Sequence, residues 1–169
     1  LGVPVSGGDD ITAAQIPNLT YLSDPDDDGP GYATFDFLVF DGDVDSASQY
    51  AITLDVTGVA DAPSVSAAAN PNVDEDTAFN LGLSASLNDN TNETLTVVIS
   101  GVPAGASLAD GTNSSSAASV DVSTWTLANI EVTPPLHDTS PFTLTTTATA
   151  TETLSADTEA SVAVSNVTL

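Results

Sequence analysis

The sequence predicts an all-β fold of short-stranded sandwiches, and three observations predict it. Apolar and polar residues alternate with a period of two in several segments, the pattern of strands with one buried and one wet face. Threonine, valine and serine are abundant there, and β-branched side chains suit a half-buried pleat. Clusters of Gly, Pro, Asn and Asp separate the segments at short intervals, which points to a sandwich. Helical periodicity is absent over any useful length.

Taken in order, "GVPV" (2–5) and "LTYL" (19–22) read as short strands. "ATFDFLVF" (33–40) sets Phe35, Phe37 and Val39 against Asp36 and Leu38. "SQYAITLDVTG" (48–58) places Tyr50, Ile52, Leu54 and Val56 opposite Ala51, Thr53 and Asp55. A boundary falls near "GVADAPSV" (58–65), where Asp61 and Pro63 follow a complete strand and the proline restricts the bend. Beyond it, "TLTVVIS" (94–100) groups Leu95, Val97 and Ile99, and "FTLTTTATAT" (142–151) keeps the beat through Phe142 and Leu144. Trp125 reads as a core side chain on a strand. From residue 64 to 169 there are about seven or eight candidate strands, enough for one closed sandwich. Residues 1–60 offer only about four, too few for an independent two-sheet core. The expected organisation is therefore two modules, 1–60 and 61–169, the first lacking its opening strands. A chain that starts at Leu1 reads as a fragment or a processed product.

Charge sets the second constraint. The 169 residues include 24 carboxylates, one histidine (His137) and no lysine or arginine, a formal net charge of −24. Two carboxylates about 4 Å apart repel by roughly 4 kcal/mol at an effective dielectric near 20. A few such contacts rival the whole stability of a small domain, about 5–15 kcal/mol. The counter-charge has to come from salt, from bound cations or from both. Such a surface repels a nucleic-acid backbone and an anionic membrane. No cysteine is present, so neither disulfides nor thiolate metal sites hold the fold. No apolar run is long enough for a bilayer, and no basic-then-apolar leader opens the chain.

Four acidic segments are candidate ion sites, each with a plainer reading. "DPDDDG" (24–29) has the D-x-D-x-D-G form, in which Asp24, Asp26 and Asp28 can face one ion while Gly29 permits the turn. An EF-hand would need glutamate where Phe35 stands, so the choice lies between a partial calcium loop and a solvated turn. "DGDVDS" (41–46) carries Asp41, Asp43 and Asp45 at a strand end, as ligands or as an Asp-Gly hairpin turn. "VDEDTAF" (73–79) supplies Asp74, Glu75 and Asp76. These could join Asp61 and the 41–45 loop in one oxygen cage, or merely solvate a sheet edge. "LNDNTNETL" (87–95) offers Asp89, Asn90 and Glu93, or is a simple polar loop.

His137 stands alone, without a second histidine or a serine arrangement that would suggest catalysis. Asn18, Asn92, Asn113 and Asn166 open glycosylation-type triplets, which arise often by chance in a chain rich in Thr and Ser. No nucleophile–base pair, phosphate cradle or carboxylate pair in an apolar cleft is present, so enzymatic activity has nothing to rest on.

An ordered set of segments resembles a known family. "GVPV", "ITAAQI", "LTY", "GYATFDFLVFDG" and "ADAP" follow one another as in the cadherin-like repeats of giant bacterial adhesins exported by type I secretion (RTX-type adhesins), over about 60 residues. Ala60 stands where asparagine is usual before Asp61. "EDTAF", "LNDNTNETLTVVISGVPAGASL", "WTLANIEVTPP" and "FTLTTTATATE" are similar to the immunoglobulin-like extender repeats of the same adhesins. Asp89 and Glu93 are kept there, with Asn90, Thr91 and Asn92 departing from the usual loop. The resemblance implies tandem immunoglobulin/cadherin-like β-sandwiches, the first incomplete at its N-terminus, with calcium (Ca2+) at the joint. It makes Asp61, Glu75 and Asp76 the leading linker ligands, with Asp41 and Asp43 next. The function it implies is a calcium-rigidified spacer of a secreted, cell-surface adhesin in cell adhesion or biofilm formation. Its partners would be neighbouring repeats of the same polypeptide or neighbouring subunits, with no nucleic acid and no membrane insertion. The alternative is a self-assembling extracellular filament subunit completed by a neighbour's strand. Binding of carbohydrate or peptide finds less support, since only nine Phe, Tyr and Trp residues are available for stacking.

Overall fold

The computed structural model describes residues 4–169. Its strands are β1 (Gly29–Phe37), β2 (Tyr50–Val56), β3 (Ser64–Ser66), β4 (Phe79–Asn80), β5 (Ser84–Ser86) and β6 (Glu93–Ser100), followed by β7 (Ser107–Ala109), β8 (Ser114–Ser115), β9 (Ser119–Asp121), β10 (Glu131–Thr133), β11 (Phe142–Glu152) and β12 (Thr158–Val167). Among the described residues, helix is limited to two single-turn 3-10 segments, Ile16–Asn18 and Leu127–Asn129. Neither is long or apolar enough to cross a membrane. The expected all-β class holds.

Every pairing between these strands is antiparallel, and one isolated bridge, Asn72↔Thr168, is parallel. β1 and β2 form a two-stranded sheet, and β3 and β5 form another. Two four-stranded sheets have the orders β4-β10-β7-β8 and β12-β11-β6-β9. The core draws on both larger sheets, with Leu108 and Val132 from one and Val97, Ile99, Val120, Leu144 and Ala148 from the other. Leu81, Leu83, Val122 and Ile130 fill it from the connecting segments. Alternation dictates this outcome: along β11 the residues Leu144, Thr146, Ala148, Ala150 and Glu152 are buried and their neighbours are not. The expected phase of "TLTVVIS" also holds, because Val97 and Ile99 are buried.

Residues 4–57 behave differently. None of the described residues from 4 to 57 is buried. β1 and β2 pair with register Ala33↔Leu54, Phe35↔Ile52 and Phe37↔Tyr50. Directly opposite residues share a face, so one face of this hairpin is apolar, as the alternation predicts, yet it lies open. β1 stops at Phe37, short of the expected Phe40. There the Asp41 carboxylate accepts the N–H groups of Asp43 (2.9 Å) and Val44 (3.0 Å) and turns the chain, a local bond that competes with the ladder. "LTYL" forms no strand. Tyr21 instead packs edge-on against Tyr32 and Phe35, with ring centroids 6.3 and 5.5 Å away. Pro4 and Val5 of "GVPV" lie outside any strand, and the rest of that segment falls outside the described residues. Trp125 sits in a turn after β9, not on a strand, and packs half-buried against the core.

Candidate metal centre at the 58–61 joint

Two pairings bring four distant segments to one place. In the first hairpin Gly29 lies opposite Val56, so the acidic loop before β1 stands beside residues 58–61. In the larger sheet Glu93, the first residue of β6, lies opposite Glu152, the last residue of β11. The loop before β6 and the turn after β11 therefore meet at that same end.

Carboxylates crowd this joint. Oxygen atoms of Asp26, Asp61 and Asp89 lie within 4.8 Å of one another. The Asp61 N–H donates to Glu93 Oε1 at 2.7 Å, and the Ala60 N–H to Asp157 Oδ2 at 3.1 Å. Asn92 Nδ2 donates to Asp28 Oδ1 at 2.9 Å. Asp28 Oδ2 and Glu93 Oε2, the second oxygens of two of these carboxylates, are buried with no hydrogen-bond partner. Glu152 is only 3% exposed. Gly58 makes the convergence sterically possible, since a Cβ there would stand 2.6 Å from Asp28 Oδ2 and 2.7 Å from Glu152 Cγ.

Ionised carboxylates only accept hydrogen bonds, and a buried acceptor left unpaired is costly. Asp110 provides the contrast within the same chain. Its buried carboxylate accepts the N–H groups of Asn113 (2.6 Å), Thr126 (2.8 Å) and Thr112 (2.9 Å) and the Asn113 side-chain amide (3.1 Å). Those donors, the Asn113 and Thr126 backbones foremost, hold it well below the usual carboxylate range. Asp28 and Glu93 have no comparable set of donors. The donors a cation would find at the joint are all oxygen, drawn from several loops, which suits calcium with its six to eight oxygen ligands.

The other sequence candidates are distributed otherwise. Asp24, Asp26 and Asp28 do not surround one point. Asp26 faces Asp61 and Asp89, and Asp28 faces Asn92 and Gly58. The Asp24 carbonyl instead accepts the Asp27 N–H. Asp27 accepts the Tyr32 hydroxyl, whose pKa is raised by partial burial and by that bond. Asp41 and Asp43 are not at the joint. They occupy the far tip of the β1–β2 hairpin, because the antiparallel register runs from Gly29↔Val56 at the joint to Phe37↔Tyr50 at the tip.

Glu75 and Asp76 are also elsewhere. Asp76 accepts the His137 N–H at 2.7 Å and lies 3.2 Å from His137 Nδ1. Nearby Asn72 bridges Thr168. Those contacts lie beyond the Phe142↔Val167 end of the β11–β12 ladder, whereas the joint lies at the Thr151↔Thr158 end. The nine residue steps between those ends span about 30 Å. The cage of Asp61 with Glu75, Asp76 and the 41–45 loop does not form.

Glu152, Asp157 and Gly58 belong to the joint and were not singled out from the sequence. Glu152 had a readable signal, a carboxylate on the buried beat of an otherwise apolar and threonine-rich strand. Comparison with family models, curated proteins and solved structures finds no match to this chain.

Proposed function

We propose that the chain is a calcium-stiffened spacer, two β-sandwich modules in tandem with the first incomplete, from an extracellular bacterial adhesin or surface fibre. The observation that carries this reading is the pair of buried, unpartnered oxygens, Asp28 Oδ2 and Glu93 Oε2, on opposite sides of a joint that also gathers Asp26, Asp61 and Asp89. No lysine or arginine exists anywhere in the chain to neutralise them.

Bound calcium would supply positive charge shared by carboxylates from both sides. The chain supplies the rest. Asp61 and Ala60 tie the linker backbone to Glu93 and Asp157, and Asn92 ties the loop before β6 to Asp28. Without a cation the same carboxylates repel across the joint and loosen it. The role is mechanical, and the resemblance to adhesin repeats supports a place at the cell surface, in adhesion or biofilm formation.

Small-angle scattering and thermal melting across a calcium titration test this reading. Calcium should lengthen the maximum dimension and raise the melting temperature, with EDTA reversing both. Identical dimension and melting temperature in calcium and in EDTA would overturn it.

A further inference from the structure

We infer that the apolar face of the β1–β2 hairpin is a self-association surface, closed by the same face of a second copy of this chain. The face consists of Ala33, Phe35 and Phe37 opposite Leu54, Ile52 and Tyr50. Phe35, Phe37, Tyr50 and Ile52 remain 47%, 40%, 51% and 51% exposed. Side chains of this size carry about 150–250 Å² each, so these four, with Tyr21 and Val39 beyond them, present on the order of 600 Å² of largely apolar surface. A single two-stranded hairpin is marginal in water until its face is covered. Scattered exposed apolar residues are ordinary, but a contiguous patch of this size on one sheet face marks an interaction site.

Charge and area identify the occupant. The carboxylates of the two strands, Asp36 and Asp55, lie on the opposite face, so the apolar face carries no charge and is complementary to itself. Two copies related by a two-fold axis would bury about 1,200 Å², the lower end of what a specific complex needs. β1 and β2 each keep one unpaired edge, so a strand donated by a neighbour is the competing outcome and would give open-ended polymers rather than a closed dimer. Two chains of charge −24 still repel at long range. Added salt shortens that repulsion to about 8 Å at 0.15 M and 3 Å at 1 M, and strengthens the apolar contact.

Sedimentation of the chain over a wide concentration range, in 0.15 M and 1 M NaCl with calcium present, tests this. The expected result is a reversible doubling of the 17.0 kDa mass, at least tenfold tighter at the higher salt. Phe37→Asp should weaken the dimer at least tenfold. Tyr50→Thr, which keeps a strand-forming residue, should weaken it in the same direction if Phe37→Asp disturbs the hairpin. Thr53→Asp, on the opposite face, should leave it within twofold. A monomer at 1 mM in high salt, open-ended polymers, or equal loss from Thr53→Asp would each overturn the inference. Repeating the series in EDTA separates it from the calcium reading, because this face lies away from the carboxylates of the joint.

Discussion

The backbone N–H of Asp61 donates to Glu93 Oε1 at 2.7 Å, while Glu93 Oε2 is buried without a partner. One side chain thus both ties the linker and holds an unanswered negative oxygen against it. Glu93→Gln should act with opposite signs under two conditions. In calcium it should weaken binding at least tenfold by isothermal titration calorimetry. In EDTA it should raise the melting temperature by relieving repulsion. Asp28→Asn should behave alike, and a calcium affinity within twofold of the unaltered chain for both would contradict the role given to these oxygens.

Gly58 occupies the gap between Asp28 and Glu152. Gly58→Ala should destabilise the closed joint by about 1–3 kcal/mol, the usual cost of overpacking. Hydrogen exchange is the appropriate readout, with the Ala60 and Asp61 amides losing protection while amides of β6 and β11 keep theirs. Glu152→Ala in the same chain should recover part of the loss. Uniform deprotection of the whole chain would instead mean that Gly58 serves the global fold.

Glu75→Gln and Asp76→Asn should leave calcium affinity at the joint within twofold, since both residues lie at the other end of the β11–β12 ladder. A tenfold loss in titration calorimetry would mean that the two ends communicate.

Acid should act through Asp110. Its folded-state pKa is depressed below the ordinary 3.8 by backbone donors from Asn113, Thr126 and Thr112. The stabilisation is therefore fully present above that ordinary value and is lost as pH falls below about 4 towards the folded-state pKa. Asp110→Asn should lower the melting temperature at pH 7 and flatten its decline below pH 4. An unchanged acid profile would show that the Asp110 turn contributes nothing to pH sensitivity.

The apolar core should be indifferent to calcium. Leu108 is fully buried among residues of both four-stranded sheets, so Leu108→Ala should cost about 2–5 kcal/mol. Denaturant unfolding followed by Trp125 fluorescence should give the same loss in calcium and in EDTA.

Much of the fold was legible because the two-residue beat reports the environment directly. The segments around Phe35, Ile52, Val97 and Leu144 are all strands; burial follows the expected phase at Val97 and Leu144, whereas the apolar face of Phe35 and Ile52 lies open. "LTYL" has the same local pattern yet pairs with no strand among the described residues, and pairing is a tertiary property. The site was legible only in part. Asp26, Asp61, Asp89 and Glu93 could be named as acids in loops, but which loops share an end depends on register. β6 pairing with β11 brings Glu93 beside Glu152, and the length of β11–β12 carries Asp76 away. Nearness in sequence to Asp61 was therefore a poor guide for Glu75 and Asp76.

Residues 69–73 run beside the end of β12 in parallel, with Asn166 N–H on Ala69 O (2.8 Å), Thr168 N–H on Pro71 O and Val73 N–H on Thr168 O (both 3.0 Å). Tension applied at residue 61 and at residue 168 would load these three bonds together, in shear. They would have to break at once, where a hairpin pulled open at its mouth unzips one bond at a time. Such a pull would therefore meet this short patch as one unit, whatever holds the joint above it.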